Sequence, residues 1–428
     1  MSIDFKHPDI TKYMLKGQFG LEKECLRVTP EGYLAQTKHP FGDNPNIDRD
    51  FCESQLEFIT DVKDSAKEAW EHLLCLQKEV SEKLRQRPSG KELMWPFSNP
   101  PYLTGEKDIP IADYKGKLKE KTIYREYLAE KYGKTKMLFS GIHFNFSFSG
   151  QLLEESFKKS KSSNQREHTD SIYLELAKKV TRYSWLIVYL TAASPVFDGS
   201  FFDEKEKGKT VIKNYSSPRC GKMGYWNDFI PVLKYDTLDA YVDSIEAYIK
   251  QGLLKEAAEL YYPVRLKPSG KNSLDRLKEK GIEHIELRML DLNPLDPAGI
   301  CVKDLQFIQL LFIYLMSLED EEFQPFEQIM AIKNEKRAAL FKESDIQIET
   351  GWSISFSVKY MALHILLSME KYFADFEEPE LIEIIRYQER KILDAKNRYA
   401  VQIRDRFRED YVKKGIRLAE KYLEDWGK

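Results

Sequence analysis

The stretch Gly141–Ser147, G-I-H-F-N-F-S, constrains the fold of this chain more than any other. Apolar and polar residues alternate strictly. Ile142, Phe144, Phe146 and Phe148 point one way, and His143, Asn145 and Ser147 point the other. A period of two is that of a half-buried strand. The simplest account of such a polar face is that water covers it. Three other segments repeat the pattern with carboxylates, which gives that account a rival.

Gly20–Leu34 predicts a strand, a turn at Pro30–Gly32 and a second strand, with Glu22 and Glu24 on one face. Asp50–Thr60 predicts a strand with Cys52, Ser54, Leu56 and Phe58 on one side and Glu53, Gln55 and Glu57 on the other. In Ile282–Pro294, His284, Glu286 and Arg288 oppose Ile285, Leu287 and Met289. Like charges side by side repel, and solvated glutamates on an edge strand are one way to tolerate them. If the four strands share one sheet, the acids converge on a cavity. Burying them without partners costs several kcal/mol each, and divalent cations resolve that cost. An oxygen-rich set with one imidazole suits Mg²⁺ or Mn²⁺ better than Zn²⁺. An arginine on the same face can grip a phosphoryl oxygen. The pattern points to phosphoryl transfer without a glycine-rich loop, since neither G-x-x-x-x-G-K-[ST] nor G-x-G-x-x-G occurs.

The rest of the chain supplies a scaffold. Asp64–Arg87 reads as an amphipathic helix opened by Ser65 and Glu68 and ended by Pro88. Thr122–Tyr132, Asp170–Ala193 and Asp236–Lys250 are further expected helices, and the polar run Lys158–His168 is expected to be a mobile surface loop. Arg219–Asn227, R-C-G-K-M-G-Y-W-N, has the glycines of a binding loop. Five helices are expected after Val302: Val302–Leu318, Phe326–Phe341, Trp352–Phe373, Pro379–Ala395 and Val401–Trp426. Strands mixed with helices over 1–300, then a mainly helical stretch over 301–428, give an α+β chain. A net charge of -3 argues against a nucleic-acid partner. Five scattered cysteines without a C-x-x-C pair read as a reducing compartment. No signal core opens the chain, and the most apolar run, Leu310–Met316, is too short to span a bilayer. A cytoplasmic protein without a membrane partner is expected.

Seven segments carry a resemblance: G-L-E-K-E-C-L-R-V, D-F-C-E-S-Q-L-E-F-I-T, W-P-F-S-N-P-P-Y, T-I-Y-R-E-Y-L, S-G-I-H-F-N-F-S, G-K-M-G-Y-W-N and I-E-H-I-E-L-R-M-L-D-L-N-P. In this order, from Gly20 to about Ile300, they resemble the bacterial glutamate–cysteine ligases. The resemblance implies a glutamine-synthetase-like fold, an antiparallel sheet curved into a funnel with helices outside. It implies MgATP-dependent joining of the glutamate γ-carboxylate to the cysteine amine through γ-glutamyl phosphate, the first step of glutathione biosynthesis. By resemblance the metal ligands are Glu22, Glu24, Asp50, Glu57, His143 and Glu286, and Arg288 contacts the phosphate. Glu53, within the same motif, is a candidate base for the amine, as is the departing phosphate. Arg219 is implied as a carboxylate contact and Arg125 as a substrate or phosphate contact. Phe51, Tyr124, Leu128, Tyr225 and Tyr261 are implied as the wall of the cysteine pocket, and Asn145 shares the substrate-facing side of its strand. Some family members continue into an ATP-grasp domain. The expectation here is a single catalytic domain over 1–428 without one, with a separate glutathione synthetase acting next. A same-fold ligase with another amine acceptor, a metal-dependent phosphohydrolase and a non-catalytic binding protein are the alternatives.

Overall fold

The computed structural model describes residues 3–86, 90–351 and 354–426. Its strands are β1 Gly17–Val28, β2 Ile47–Arg49, β3 Gln55–Ile59, β4 Leu93–Met94, β5 Gly141–Phe148, β6 Val196–Asp198, β7 Thr210–Ile212, β8 Val264–Lys267, β9 His284–Asp291, β10 Gln347–Glu349 and β11 Ser355–Ser357. Seven of them make the main sheet, in the order β2-β3-β1-β5-β9-β8, with β4 paired to the far end of β1. Every pairing in it is antiparallel. The α+β class with an antiparallel sheet is therefore as expected.

Alternation along the strands fixes the sheet's two faces. Phe19, Leu21 and Cys25 of β1, Leu56 and Phe58 of β3, and Ile142, Phe144, Phe146 and Phe148 of β5 enter one core. The helices Ala66–Arg85, Gln165–Thr191 and Val302–Ser317 contribute to the same core. Phe19, Phe144, Phe146 and Phe312 pack ring against ring, with centroids 5.3–6.4 Å apart. Such pairs add to what burial alone contributes. On the other face, Leu26 and Val28 join a second core with Trp95, Phe97, Phe407 and Tyr411. The C-terminal helix Tyr411–Trp426 thereby closes one end of the sheet.

One irregularity matters for function. Between Ile142 and Phe144 the register of β5 against β9 slips: Ile142 faces Leu290, but Phe144 faces Leu287. The extra residue on β9 is a bulge at Arg288–Met289. It keeps both Leu287 and Leu290 in the core while Arg288 stays on the polar side with His143.

Several expectations need correction. The second strand of Gly20–Leu34 is only an isolated bridge between Val28 and Leu34. The strand expected from Asp50 begins at Gln55, because Glu53 and Ser54 form a turn. Lys158–His168 is not a loop: helix Gly150–Lys159 runs into it and helix Gln165–Thr191 begins within it, capped by Asn164. Val401–Trp426 is two helices, Tyr399–Phe407 and Tyr411–Trp426, broken where Asp410 takes a left-handed φ of 53°. The hairpin β10–β11 precedes helix Val358–Phe373, where a helix from Trp352 was expected. Trp352, like the helix-ending Pro88, lies outside the described residues. Ser65 does cap its helix, accepting from the Glu68 amide at 3.1 Å.

Phe144 is wholly buried between β1, β9 and helix Val302–Ser317. Phe144→Ala should cost about 3–5 kcal/mol of unfolding free energy, measured by urea denaturation. A loss below about 1 kcal/mol would show that this core does not hold the sheet.

Candidate active site

The polar faces of five strands line up into one stripe. Glu24 of β1 is the register partner of Glu57 on β3, and Glu22 that of His143 on β5. Asn145 of β5 faces Glu286 on β9, and Glu286 faces Arg265 on β8. Cross-strand partners sit about 4.5–5.5 Å apart at Cβ, so acids distant in sequence become neighbours. Ligand atoms of Glu22, His143 and Glu286 all lie within 4.8 Å of one another.

The bonds within the stripe orient it. His143 Nδ1 lies 3.2 Å from Glu22 Oε2, and the Asn145 amide donates to Glu22 Oε1 at 2.9 Å. The Gly141 amide donates to Glu24 Oε2 at 2.9 Å. Glu286, with no exposed surface, is ion-paired to both Arg288 and Lys267. Lys267 and Arg265 are site residues that the sequence reading missed. Their signal is the V-R-L-K alternation of β8, which puts Arg265 and Lys267 on one face.

Charge balance divides the stripe in two. At the β8–β9 end, burial opposes ionisation of Glu286, but Lys267 and Arg288 overcome it and hold the carboxyl well below its ordinary range. Glu22 is likewise held low against burial, by its bond to His143. At the β1–β3 end no cation suffices. Burial and the neighbouring Asp50 push Glu24 up to about 8. Burial, Asp50, Glu22 and Glu24 together raise Glu57 well above the usual carboxylate range. Burial and Arg288 lower His143, which leaves a neutral imidazole. Its Nε2 is buried without a hydrogen-bond partner, 3.7 Å from Glu24 Oε1. An unpartnered imidazole nitrogen beside acids short of positive charge is a fit for a divalent cation, and the oxygen-rich set suits Mg²⁺ or Mn²⁺.

The remaining expected residues fall as follows. Arg219 is buried, and its guanidinium donates to the carbonyls of Arg288 at 2.6 Å and Leu290 at 3.4 Å, leaving Nε unpartnered. A Cβ on Gly141 would come within 2.4 Å of that guanidinium, so a side chain there would push Arg219 out of its place. Arg125 donates to the backbone carbonyls of Asp50 and Arg49. Phe51 and Leu128 are buried in the second core, with Tyr124, Tyr225 and Tyr261 packed on it. The rings of Tyr225 and Tyr261 meet edge-on at 5.0 Å. Glu53 is a correction. It sits in the turn before β3, and its carboxylate is taken by Arg49 at 3.0 Å and by the amides of His39 and Asp113. A carboxylate so engaged shapes the turn, where a place on the strand was expected.

Comparisons with known proteins follow the same line. The family model described as glutamate-cysteine ligase matches residues 4–338. The glutathione biosynthesis bifunctional protein GshAB of Listeria monocytogenes is 37% identical over 434 residues, covering 98% of this chain and 56% of that protein. The glutamate–cysteine ligase of Clostridium acetobutylicum is 33% identical over 381 residues, covering 77% of this chain and 78% of that protein. The bifunctional glutathione synthetase structure from Pasteurella multocida superposes with a TM-score of 0.83 at 28% identity, over 98% of this chain and 54% of that one. The AMP complex of glutamate–cysteine ligase from Francisella tularensis has the same fold, with a TM-score of 0.85 at 24% identity over 96% and 89% of the two chains. The chain thus spans about half the length of the bifunctional relatives it matches.

A carboxyl whose pKa rises on folding makes the folded state bind the extra proton, so its contribution to stability falls as pH rises from the unfolded value toward the folded one. In chelator-treated protein, Glu24→Gln should gain stability over the parent between about pH 4.5 and pH 8, with the gain levelling off above that. Thermal melts across that range check it. A difference that does not change with pH would show that Glu24 is not held protonated.

Proposed function

The chain belongs to the glutamate–cysteine ligase family, and on that premise we propose that it joins the γ-carboxylate of glutamate to the amine of cysteine at the expense of ATP. The observation that carries the reading is the stripe across β3, β1, β5 and β9, where buried acids outnumber the cations facing them. Such an arrangement suits a reaction that brings in a polyphosphate with its counter-ions. Glu22, Glu24, Asp50, Glu57, His143 and Glu286 would hold Mg²⁺ or Mn²⁺. A divalent ion held there neutralises phosphate oxygens and orients them for in-line transfer.

The chain's own residues supply the rest. A free carboxylate is a poor acylating agent, so the glutamate γ-carboxylate first takes the terminal phosphoryl group of ATP, giving γ-glutamyl phosphate and ADP. Arg288, oriented by its ion pair with Glu286, stabilises charge on the transferred group. The neutral cysteine amine then attacks the acyl carbon and phosphate departs. Phe51, Leu128, Tyr124, Tyr225 and Tyr261 form the apolar wall against which the cysteine side chain rests and from which water is excluded. Asn145 fixes Glu22, and Arg125 braces the Arg49–Asp50 backbone beside the acids. Arg219 reaches the amino-acid carboxylate through its unpartnered Nε. Glu53, now paired with Arg49, and the departing phosphate are the two candidates to take the amine proton.

In this reading residues 1–428 act as one catalytic unit in the cytoplasm, and γ-glutamylcysteine is the substrate of the glutathione synthetase step that follows. Among the described residues no helix is long and apolar enough to cross a membrane.

ADP release should require glutamate and cysteine together, with γ-glutamylcysteine detected by mass. ATP breakdown independent of both amino acids would replace the ligase with a phosphohydrolase. An apolar pocket separates a thiol from an ethyl group by only about 1–3 kcal/mol, so 2-aminobutyrate should be accepted more weakly than cysteine and serine least. Glu57→Gln should lower turnover by roughly two orders of magnitude and raise the Mg²⁺ requirement, with the fold intact by circular dichroism. An unchanged rate would remove Glu57 from the site.

A further inference from the structure

Outside the stripe of acids, several buried carboxylates have close partners. Glu259 is bound by Lys131, Tyr127 and Tyr132. Asp304 is bound by Lys391, Gln388 and Tyr399. Asp291 is bound by Ser194, Ser217 and the Ala193 amide. Glu335, on helix Pro325–Ala338, breaks the pattern. It is 1% exposed, its Oε2 accepts no hydrogen bond, and its polar neighbour is the Ser184 hydroxyl, with no ion pair to it among the described residues. An unpaired buried carboxylate costs several kcal/mol, so its retention calls for a ligand.

Glu335 lines a cavity of about 50 Å³ that opens beside Arg288. That volume holds several waters, or the head of an amino acid. Tyr225, Trp226, Tyr261 and Tyr262 also line it, and so does Arg219. Aromatic faces around a single carboxylate are the surroundings that a primary ammonium seeks. Trp226 already draws one: Lys336 Nζ lies 4.2 Å over its ring. The unpartnered Nε of Arg219 offers a contact of the opposite kind, for a carboxylate. The cavity lining thus holds one group for each charge of a zwitterion.

We propose that Glu335 binds the α-ammonium of an amino-acid substrate, making this cavity the head-group subsite of the candidate active site. The proposal rests on the ligase reading for the identity of that amino acid, which is either the glutamate donor or the cysteine acceptor. Burial pushes Glu335 up to about 7, tempered by Ser184, Lys336 and Arg219. An arriving ammonium would draw it back to the charged form.

Glu335→Gln keeps the shape and removes the charge, so the fold should be at least as stable as the parent by thermal melt. Calorimetric binding of glutamate and of cysteine, each with MgATP analogue present, is compared in the parent and the variant, alongside KM and kcat. Affinity for one of the two should fall roughly tenfold or more, with KM for ATP unchanged; which one falls identifies the source of the ammonium. If glutamate is the source, glutarate, which lacks the ammonium, should bind the parent as weakly as glutamate binds Glu335→Gln. Retained affinity for both amino acids in the variant overturns the proposal while leaving the ligase reading intact. If the parent does not turn over, the ligase reading fails alone, and loss of amino-acid binding in the variant still upholds the subsite. A parent that binds neither amino acid overturns both.

Discussion

Everything in this structure follows from one constraint: an antiparallel sheet that is apolar on one face holds more carboxylates on the other than its own cations can balance. The apolar face sets the register. Because side chains alternate with a period of two, a slip by one residue would turn Phe144 and Phe146 out of the core and His143 and Asn145 into it. The phenylalanines therefore determine where the acids meet. The energy that brings Glu24 beside Glu57 comes from burial on the opposite side of the strands, and like-charge repulsion is the tolerated cost.

The bulge on β9 shows how closely the two faces are linked. A regular strand would keep Glu286, Arg288 and Leu290 on one side, and Leu290 would then leave the core. The extra residue lets Leu290 return to the apolar face while Arg288 remains with Glu286 and His143. Arg219 holds that geometry from behind, donating to the carbonyls of Arg288 and Leu290 on either side of Met289. Gly141 makes room for it, so a glycine on β5 and an arginine from a loop together stabilise an irregularity on β9.

What the sequence revealed of this follows the same physics. Glu22, Glu24, Glu57, His143, Glu286 and Arg288 were legible because alternation is a local signal, and each lies on a strand long enough to show it. Glu53 was misplaced because the same alternation runs through D-F-C-E-S-Q-L-E, while the chain turns before Gln55 to meet Arg49. Lys267 was visible in pattern but not in role, since its partner Glu286 lies on the next strand. Helix Gly150–Lys159 runs into the polar stretch from Lys158, and its signals are the Ser149 cap and the apolar Leu152 and Leu153 that pack on the core. Glu335 gave no signal at all. It lies in a helix whose sequence marks no functional face, and only the packing of that helix on Gln165–Thr191 and the Arg219–Asn227 loop shows that its carboxylate is buried without an ion pair.

The division of charge along the stripe has a consequence for how the site is filled. The β8–β9 end needs no added cation before any ligand arrives, because Lys267 and Arg288 together more than answer the single charge of Glu286. The β1–β3 end does, because Glu24, Glu57 and Asp50 face one another with only the more distant Arg219, Arg288 and Arg125 to offset them. A cation entering the stripe gains most at the second end, where it relieves repulsion and ionises carboxyls that burial keeps protonated. At the first end it must instead displace or share an existing ion pair. The paired end therefore orients and the unpaired end attracts, and Glu22 with His143, between the two, belongs to both.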